Sequence, residues 1–310
     1  TTENRGSLEA LAAWLLASPA NAVLALGATS LLPITQPVSG VFLATIGIAR
    51  GLRSAAVYVL LAAGALLAFA AVLGASPVAV LKMLAAGWIP VYLLVVMWRV
   101  TASTLLALQL SLIVAAAALL VFNLAVADLD AYWQPMLQAM DESYRQAGMR
   151  SPLAALQEQL EGVPDTIGAL ITMGVATLVW LLAALEFMLG GALSDKLPGM
   201  RPRIGRIREL DFGRTLAIAF VMVTVLAWLA DMSMLRQVGF LFLTAFMLQG
   251  LAVVHWLHAR EYAPVIVVFL AYGSLLVLQG YAVMAIAVVG LMDALLRVRR
   301  RLLETKGSGQ

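Results

Sequence analysis

Three stretches of this chain, Ser54 to Gly74, Ala102 to Ala125 and Val238 to Leu257, each run for at least twenty residues without one Asp, Glu, Lys or Arg. At about 1.5 Å of rise per residue, a helix of that length reaches across the roughly 30 Å hydrocarbon core of a bilayer. Lipid offers no hydrogen bonds to the backbone, so a segment buried there pairs its own N–H and C=O groups and becomes a helix. The remaining sequence follows suit. Of 310 residues, 63% are hydrophobic and 12% charged, with a mean hydropathy of +0.95, which excludes a soluble globular fold.

Ten segments repeat the pattern: Leu8 to Leu32, Val38 to Ile48, Ser54 to Gly74, Pro77 to Trp98, Ala102 to Ala125, Ile167 to Gly190, Thr215 to Leu229, Val238 to Leu257, Pro264 to Leu278 and Tyr281 to Leu296. The expected fold is all-α, a polytopic transmembrane bundle of about ten spans. Pro19 and Asn21 interrupt the first segment, so the amino end is expected as an interfacial helix followed by a tilted one. The second segment is short for a span. Gln279 and Gly280 divide the last two, and a tight turn is expected there because a single helix of both would overshoot the bilayer. Thr1 to Glu9 lacks the pattern of a removable signal peptide.

Cytoplasmic loops beside membrane spans are enriched in Lys and Arg. With the amino terminus inside, the inner set is Arg5, Arg50, Arg53, Arg99, Lys196, Arg201, Arg203, Arg206, Arg208, Arg214, Arg260, Arg297, Arg299, Arg300, Arg301 and Lys306. The outer set is Arg145, Arg150 and Arg236, and Lys82 falls within a span. Both termini are therefore expected in the cytoplasm, and the net charge of +3 is a topology signal rather than a nucleic-acid footprint. The domains follow: a six-span bundle over 1–190 that includes an outer loop at 126–166, a basic cytoplasmic loop at 191–214, and a four-span bundle with a basic tail over 215–310. The absence of cysteine excludes disulfides and thiolate metal sites.

The outer loop is acidic and patterned. Tyr132, Trp133, Met136, Met140 and Tyr144 recur at helical steps and predict an amphipathic helix, on the bilayer surface or against a partner, with a second from Leu153 to Leu160. The inner loop from Ser194 to Arg214 offers a basic surface to anionic lipid or to a cytoplasmic partner.

Ionisable groups within spans are costly and are candidates for function. Lys82 is read as snorkelling to the outer interface. Glu186 is placed about four residues above the inner end of its segment and is read as an ion-pair partner of the loop carrying Arg201, Arg203 and Arg206. Asp293 and Arg297, one turn apart, are read as a structural ion pair. His255, His258 and Glu261 step by three and form a weak metal candidate without a fourth ligand. Gln109, Asn123, Gln249 and Gln279, whose usual role is interhelical hydrogen bonding, are with Trp88 and Trp180 the candidate lining of a ligand site should they converge. Zinc, phosphate-loop and nucleophile-elbow signatures are missing, so no enzyme activity and no cofactor are expected.

Ala131-Tyr132-Trp133-Gln134, Gln249-Gly250-Leu251-Ala252-Val253-Val254-His255, and Gly290-Leu291-Met292-Asp293 followed by Arg297 and Arg299 to Arg301 together resemble the YybS-like family of bacterial membrane proteins. That resemblance covers most of the chain and implies a multi-pass protein of the bacterial inner membrane, with no activity to carry over. Leu32-Pro33, Pro37-Val38-Ser39-Gly40 and Arg50-Gly51 also resemble the front of the substrate-binding subunits of energy-coupling-factor vitamin transporters, over the first six segments. This implies a small-molecule cavity opening outward. The four spans after Gly190 and the acidic loop depart from that pattern. Two functions are thus expected in competition: a structural or regulatory subunit of a membrane assembly, whose partners are the bilayer and other membrane subunits, and a vitamin-like binding or transport module.

Overall fold

The computed structural model describes residues 2–32, 34–151, 165–197, 204 and 207–307. They form thirteen α-helices: α1 (Thr2–Ala17), α2 (Pro19–Ser30), α3 (Gln36–Arg50), α4 (Leu52–Val72), α5 (Pro77–Thr101), α6 (Thr104–Ala125), α7 (Leu129–Gln146), α8 (Ile167–Ser194), α9 (Gly213–Ala230), α10 (Ser233–Ala259), α11 (Val265–Val277), α12 (Gly280–Leu296) and α13 (Val298–Gly307). No strand occurs among the described residues. The all-α membrane fold expected from the apolar runs is what the chain adopts.

The ends of these helices follow local chemistry. Ser18 accepts a hydrogen bond from Asn21 N (3.1 Å) and Pro19 opens α2, while Ser76 and Pro77 do the same for α5. Side-chain oxygen at the cap satisfies an amide that the helix cannot, and proline at the first position sacrifices none. Ala102 and Arg297 close α5 and α12 in the left-handed conformation. Gln279, at φ +43, breaks the chain between α11 and α12, at the position read from the sequence.

The count of spans is corrected. Six described helices, α4, α5, α6, α8, α9 and α10, are long and apolar enough to cross a membrane. The first expected segment is two helices, the stretch Gly6–Ala17 and α2, whose axes differ by 112°; taken as one broken span, they raise the total to seven. The second, α3, has fifteen residues of which nine are buried. It is apolar because protein surrounds it, not because it spans. α11 and α12 have 13 and 17 residues.

The chain divides into two compact units. One comprises Thr1–Ser111, Val179–Asp211 and Leu251–Val268, the other Leu112–Leu178, Phe212–Gly250 and Phe269–Gln310. The linear division at 190 and 214 does not coincide with them, since each draws on three stretches.

In the first unit α2 and α3 form an antiparallel hairpin. Ser39 Oγ donates to Leu26 O (3.2 Å), and the Arg50 guanidinium donates to Leu16 O, just before α2 begins. At 12 and 15 residues the arms are about 18 and 22 Å long, short of a 30 Å core. α5 lies along α3: Arg99 donates to Gly47 O and Ile48 O at 2.8 Å each, and Val95 packs where a Cβ on Gly47 would sit (2.8 Å).

In the second unit α10 and α12 meet backbone to backbone. A Cβ on Gly250 would lie 1.9 Å from Ile286 O, and one on Gly290 would lie 2.0 Å from Phe246 O. Small residues at such points let helices approach where lipid supplies no hydrophobic drive between them.

Candidate functional site

Of the six candidate ligand residues, Trp88, Gln109 and Trp180 belong to the first unit and Asn123, Gln249 and Gln279 to the second. Trp88 Nε1 donates to Ser39 Oγ (2.7 Å), tying α5 to α3, and Trp180 Nε1 donates to Ser111 Oγ (3.1 Å), tying α8 to α6. Asn123 and Gln237 exchange two amide hydrogen bonds at 3.0 and 3.1 Å between α6 and α10. Gln249 accepts from Phe212 N (2.8 Å) and donates to Asp293 Oδ2 (3.0 Å). Gln109 is half-buried, and Gln279 is exposed at the helix break. Four of the six are interhelical struts.

Gln249 belongs to a node that sequence reading assembled only in part. Asp293 pairs with Arg299, not with Arg297: Arg299 Nη2 and Nε lie 2.6 and 2.9 Å from Oδ2, and the Arg299 amide donates to Oδ1 (3.1 Å). Arg297, one turn on, was the expected partner. It adopts φ +54 at the carboxyl cap of α12, so the helix ends before it can reach back, and the next turn brings Arg299 over the carboxylate. The side chains of the pair are 4% and 11% exposed. Buried charge of this kind persists only when paired and hydrogen-bonded, and here the carboxylate accepts from a guanidinium, an amide and Gln249.

The weak metal candidate does not form. α10 ends at Ala259 and Glu261 sits at φ +62, so the three-residue step stops before the carboxylate. Among the described residues no three His, Cys, Asp or Glu side chains gather to hold an ion. His258, Glu261, Tyr262, Ala263 and Pro264 instead line an open cleft of ≈ 410 Å³, with Tyr262 stacked on Trp256 at 5.7 Å.

The expected amphipathic helix is present as α7, capped by Asp128. Its first turn is fastened to α8. Trp133 Nε1 donates to Thr172 Oγ1 (2.8 Å), Asp130 Oδ1 accepts from Gly168 N (2.7 Å), and a Cβ on Gly168 would strike the Leu129 carbonyl at 2.5 Å. Of the expected face, Trp133, Met140 and Tyr144 are half-buried, while Tyr132 and Met136 are exposed. Tyr132 meets Phe122 edge to face at 5.2 Å. Nearby, Arg236 bridges Asp165 (2.8 Å) and Asp231 (2.7 Å). Burial pushes the Asp165 carboxyl up, but hydrogen bonds from Arg236 and Ser233 and the guanidinium charge outweigh it and hold the group below the ordinary Asp range. The second expected outer helix, Leu153 to Leu160, lies outside the described residues.

Glu186 departs most from its expectation. α8 runs four residues past the expected end at Gly190, to Ser194, which sets Glu186 eight residues from the helix end instead of four. It is 4% exposed, and no hydrogen bond or ion pair among the described residues reaches it. Arg201, Arg203 and Arg206, its expected partners, lie outside the described residues. Its carboxyl rests on Gly40 of α3, where a Cβ would be 2.0 Å from Oε2. One turn further, a Cβ on Gly190 would lie 2.5 Å from Ala44 Cβ and 2.8 Å from Val41 O, and Thr45 Oγ1 donates to Gly190 O (3.2 Å). The signal available in sequence was the pair of small residues, Gly40 and Gly190, in segments that also carry Ser39 and Glu186.

No curated protein and no solved structure matches the chain. Residues 20–294 match the family model described as "Predicted membrane protein (DUF2232)", which agrees with the apolar helices and their small-residue crossings, and the chain belongs to that family of multi-pass membrane proteins.

Proposed function

We propose that this protein is a non-catalytic subunit, structural or regulatory, of an assembly in the bacterial inner membrane, of the YybS-like kind, with both termini in the cytoplasm. The observation that supports it is how the interior polar side chains are used: Trp88, Trp180, Asn123 and Gln249 are each spent on a neighbouring helix. Groups so engaged stiffen a frame and leave little polar lining for a ligand. α7, with Tyr132 and Met136 exposed, supplies an outer surface for lipid or a neighbouring subunit. The cytoplasmic orientation is supported by the sixteen Lys and Arg counted on one side against three on the other.

A second reading, small-molecule binding or transport in the manner of the energy-coupling-factor subunits, is favoured by the α2–α3 hairpin. Paired half-length helices expose their ends inside the bilayer, as transporters do at binding sites. Native mass spectrometry of the protein purified in mild detergent separates the two. Reproducible co-purifying subunits are expected; a retained small molecule and no subunit would overturn the first reading in favour of the second.

A further inference from the structure

Glu186 is the one ionisable side chain among the 28 residues of α8. Two helices measure its depth. α8 continues eight residues beyond it, about 12 Å, and Gly40 stands ten residues, about 15 Å, from Arg50 at the basic end of α3. With those ends at the boundary of a core about 30 Å thick, the carboxyl lies near its middle.

Among the described residues, the charged side chains of α2 to α5 are directed elsewhere. α3 contributes only Arg50, which donates to Leu16 O. α5 contributes Lys82, which is exposed, and Arg99, which donates to the carbonyls that end α3. α4 contributes Arg53, exposed in its first turn, and α2 contributes none. An isolated carboxylate in hydrocarbon is too costly to persist, so the group is neutralised or paired. Glycine at 40 leaves room for the carboxyl between two helices but brings no donor side chain to it.

We propose that Glu186 is a proton-binding site inside the membrane: its carboxylate takes up one proton to become the acid while α3 and α8 are in contact at Gly40, and gives it up when that contact opens to water. The exchange is COO⁻ + H⁺ ⇌ COOH and needs no other reactant. It holds under either reading of function, as a pH signal in a regulatory subunit or as an exchanged ion in a transporter.

The test uses the full-length protein in liposomes treated with dicyclohexylcarbodiimide. This apolar reagent takes the acid proton on one nitrogen, receives the carboxylate oxygen on its central carbon, and rearranges to a stable N-acylurea. Peptide mass spectrometry is expected to find the adduct on Glu186 at neutral and mildly acid pH, lost as the pH is raised, and absent with a water-soluble carbodiimide. Infrared difference spectra decide where the reagent cannot reach: wild type minus Glu186→Gln is expected to contain the C=O stretch of a protonated carboxyl. If that variant fails to fold, Gly40→Ala, which displaces the carboxyl, is expected to shift the same band. A missing band, or an adduct and band that emerge only after Arg201, Arg203 and Arg206 are replaced by Gln, would make Glu186 an ion-paired structural group and overturn the proposal.

Discussion

Replacing Gly250 by Ala tests whether the α10–α12 crossing holds the second unit together. The added Cβ would stand 1.9 Å from Ile286 O and 2.8 Å from Ile286 C. Both obstacles are backbone, so no rotamer change relieves them. A carbon beside a carbonyl oxygen settles at about 3.3 Å or more, so the helices part locally by about 1.4 Å. Overpacking of this kind costs about 1–3 kcal/mol. The neighbouring Gln249 bonds, 2.8 Å to Phe212 N and 3.0 Å to Asp293 Oδ2, stretch by a similar amount, and losing one of them while its groups stay buried adds about 1–3 kcal/mol. The sum is about 2–6 kcal/mol, which at about 2 °C per kcal/mol lowers the melting temperature by at least ~4 °C. The assay is thermal unfolding in detergent, with Gly64→Ala as control because nothing lies within 4 Å of a Cβ there. Equal melting of Gly250→Ala and wild type would refute the argument that backbone contact at this crossing carries stability.

Arg299→Gln leaves the Asp293 carboxylate buried without its cation and is expected to cost about 3–5 kcal/mol, whereas Arg297→Gln, at an exposed position, is expected to stay within about 0.5 kcal/mol; chemical unfolding of the two variants decides which arginine is the partner. The Asp165 carboxyl is held below its ordinary value, so its contribution is fully present above about pH 4, the unfolded value, and is lost as the pH falls through the lower folded one. Asp165→Asn is thus expected to speed hydrogen exchange at 165–172 at neutral pH and to make no difference once wild-type Asp165 is protonated; an equal effect at both pH values would count against the ion pair. A cysteine at Ser143, exposed on α7, is expected to react with an impermeant thiol reagent in intact cells, and failure there with reaction at an introduced carboxyl-terminal cysteine would reverse the orientation.

Apolar period and length made the helices legible, because a charge-free run of twenty residues has one stable form in lipid. Breaks carried by Pro19, Pro77 and Gln279 were legible for the same local reason. The span count was not, since α3 and a true span have the same composition: one is apolar because protein covers it, the other because lipid does, and hydropathy does not separate the two. Asp293 was identified as a paired acid, but its partner depended on Arg297 leaving the helical conformation, which a one-turn rule assumes it keeps. Glu186 was misplaced in depth because Gly190-Gly191 looks like a helix end. In α8 those glycines are interior, and they are there so that Ala44 and Ile204 can come close.

The burial of α3 sets an order of events during synthesis. Thr45 closes its hydrogen bond on a carbonyl 145 residues later in the chain, so the face of α3 that carries Gly40 and Ala44 stays without its cover until α8 has been made. At about 5–20 residues per second that interval is roughly 7–30 s. For that time a short helix with buried Ser39 and Thr45 must be sheltered by α1, α2, α4 and α5. Nascent chains arrested before Gly190 should therefore hold α3 in a state that proteases and insertion chaperones can still reach, and release past Ser194 should end that exposure in a single step.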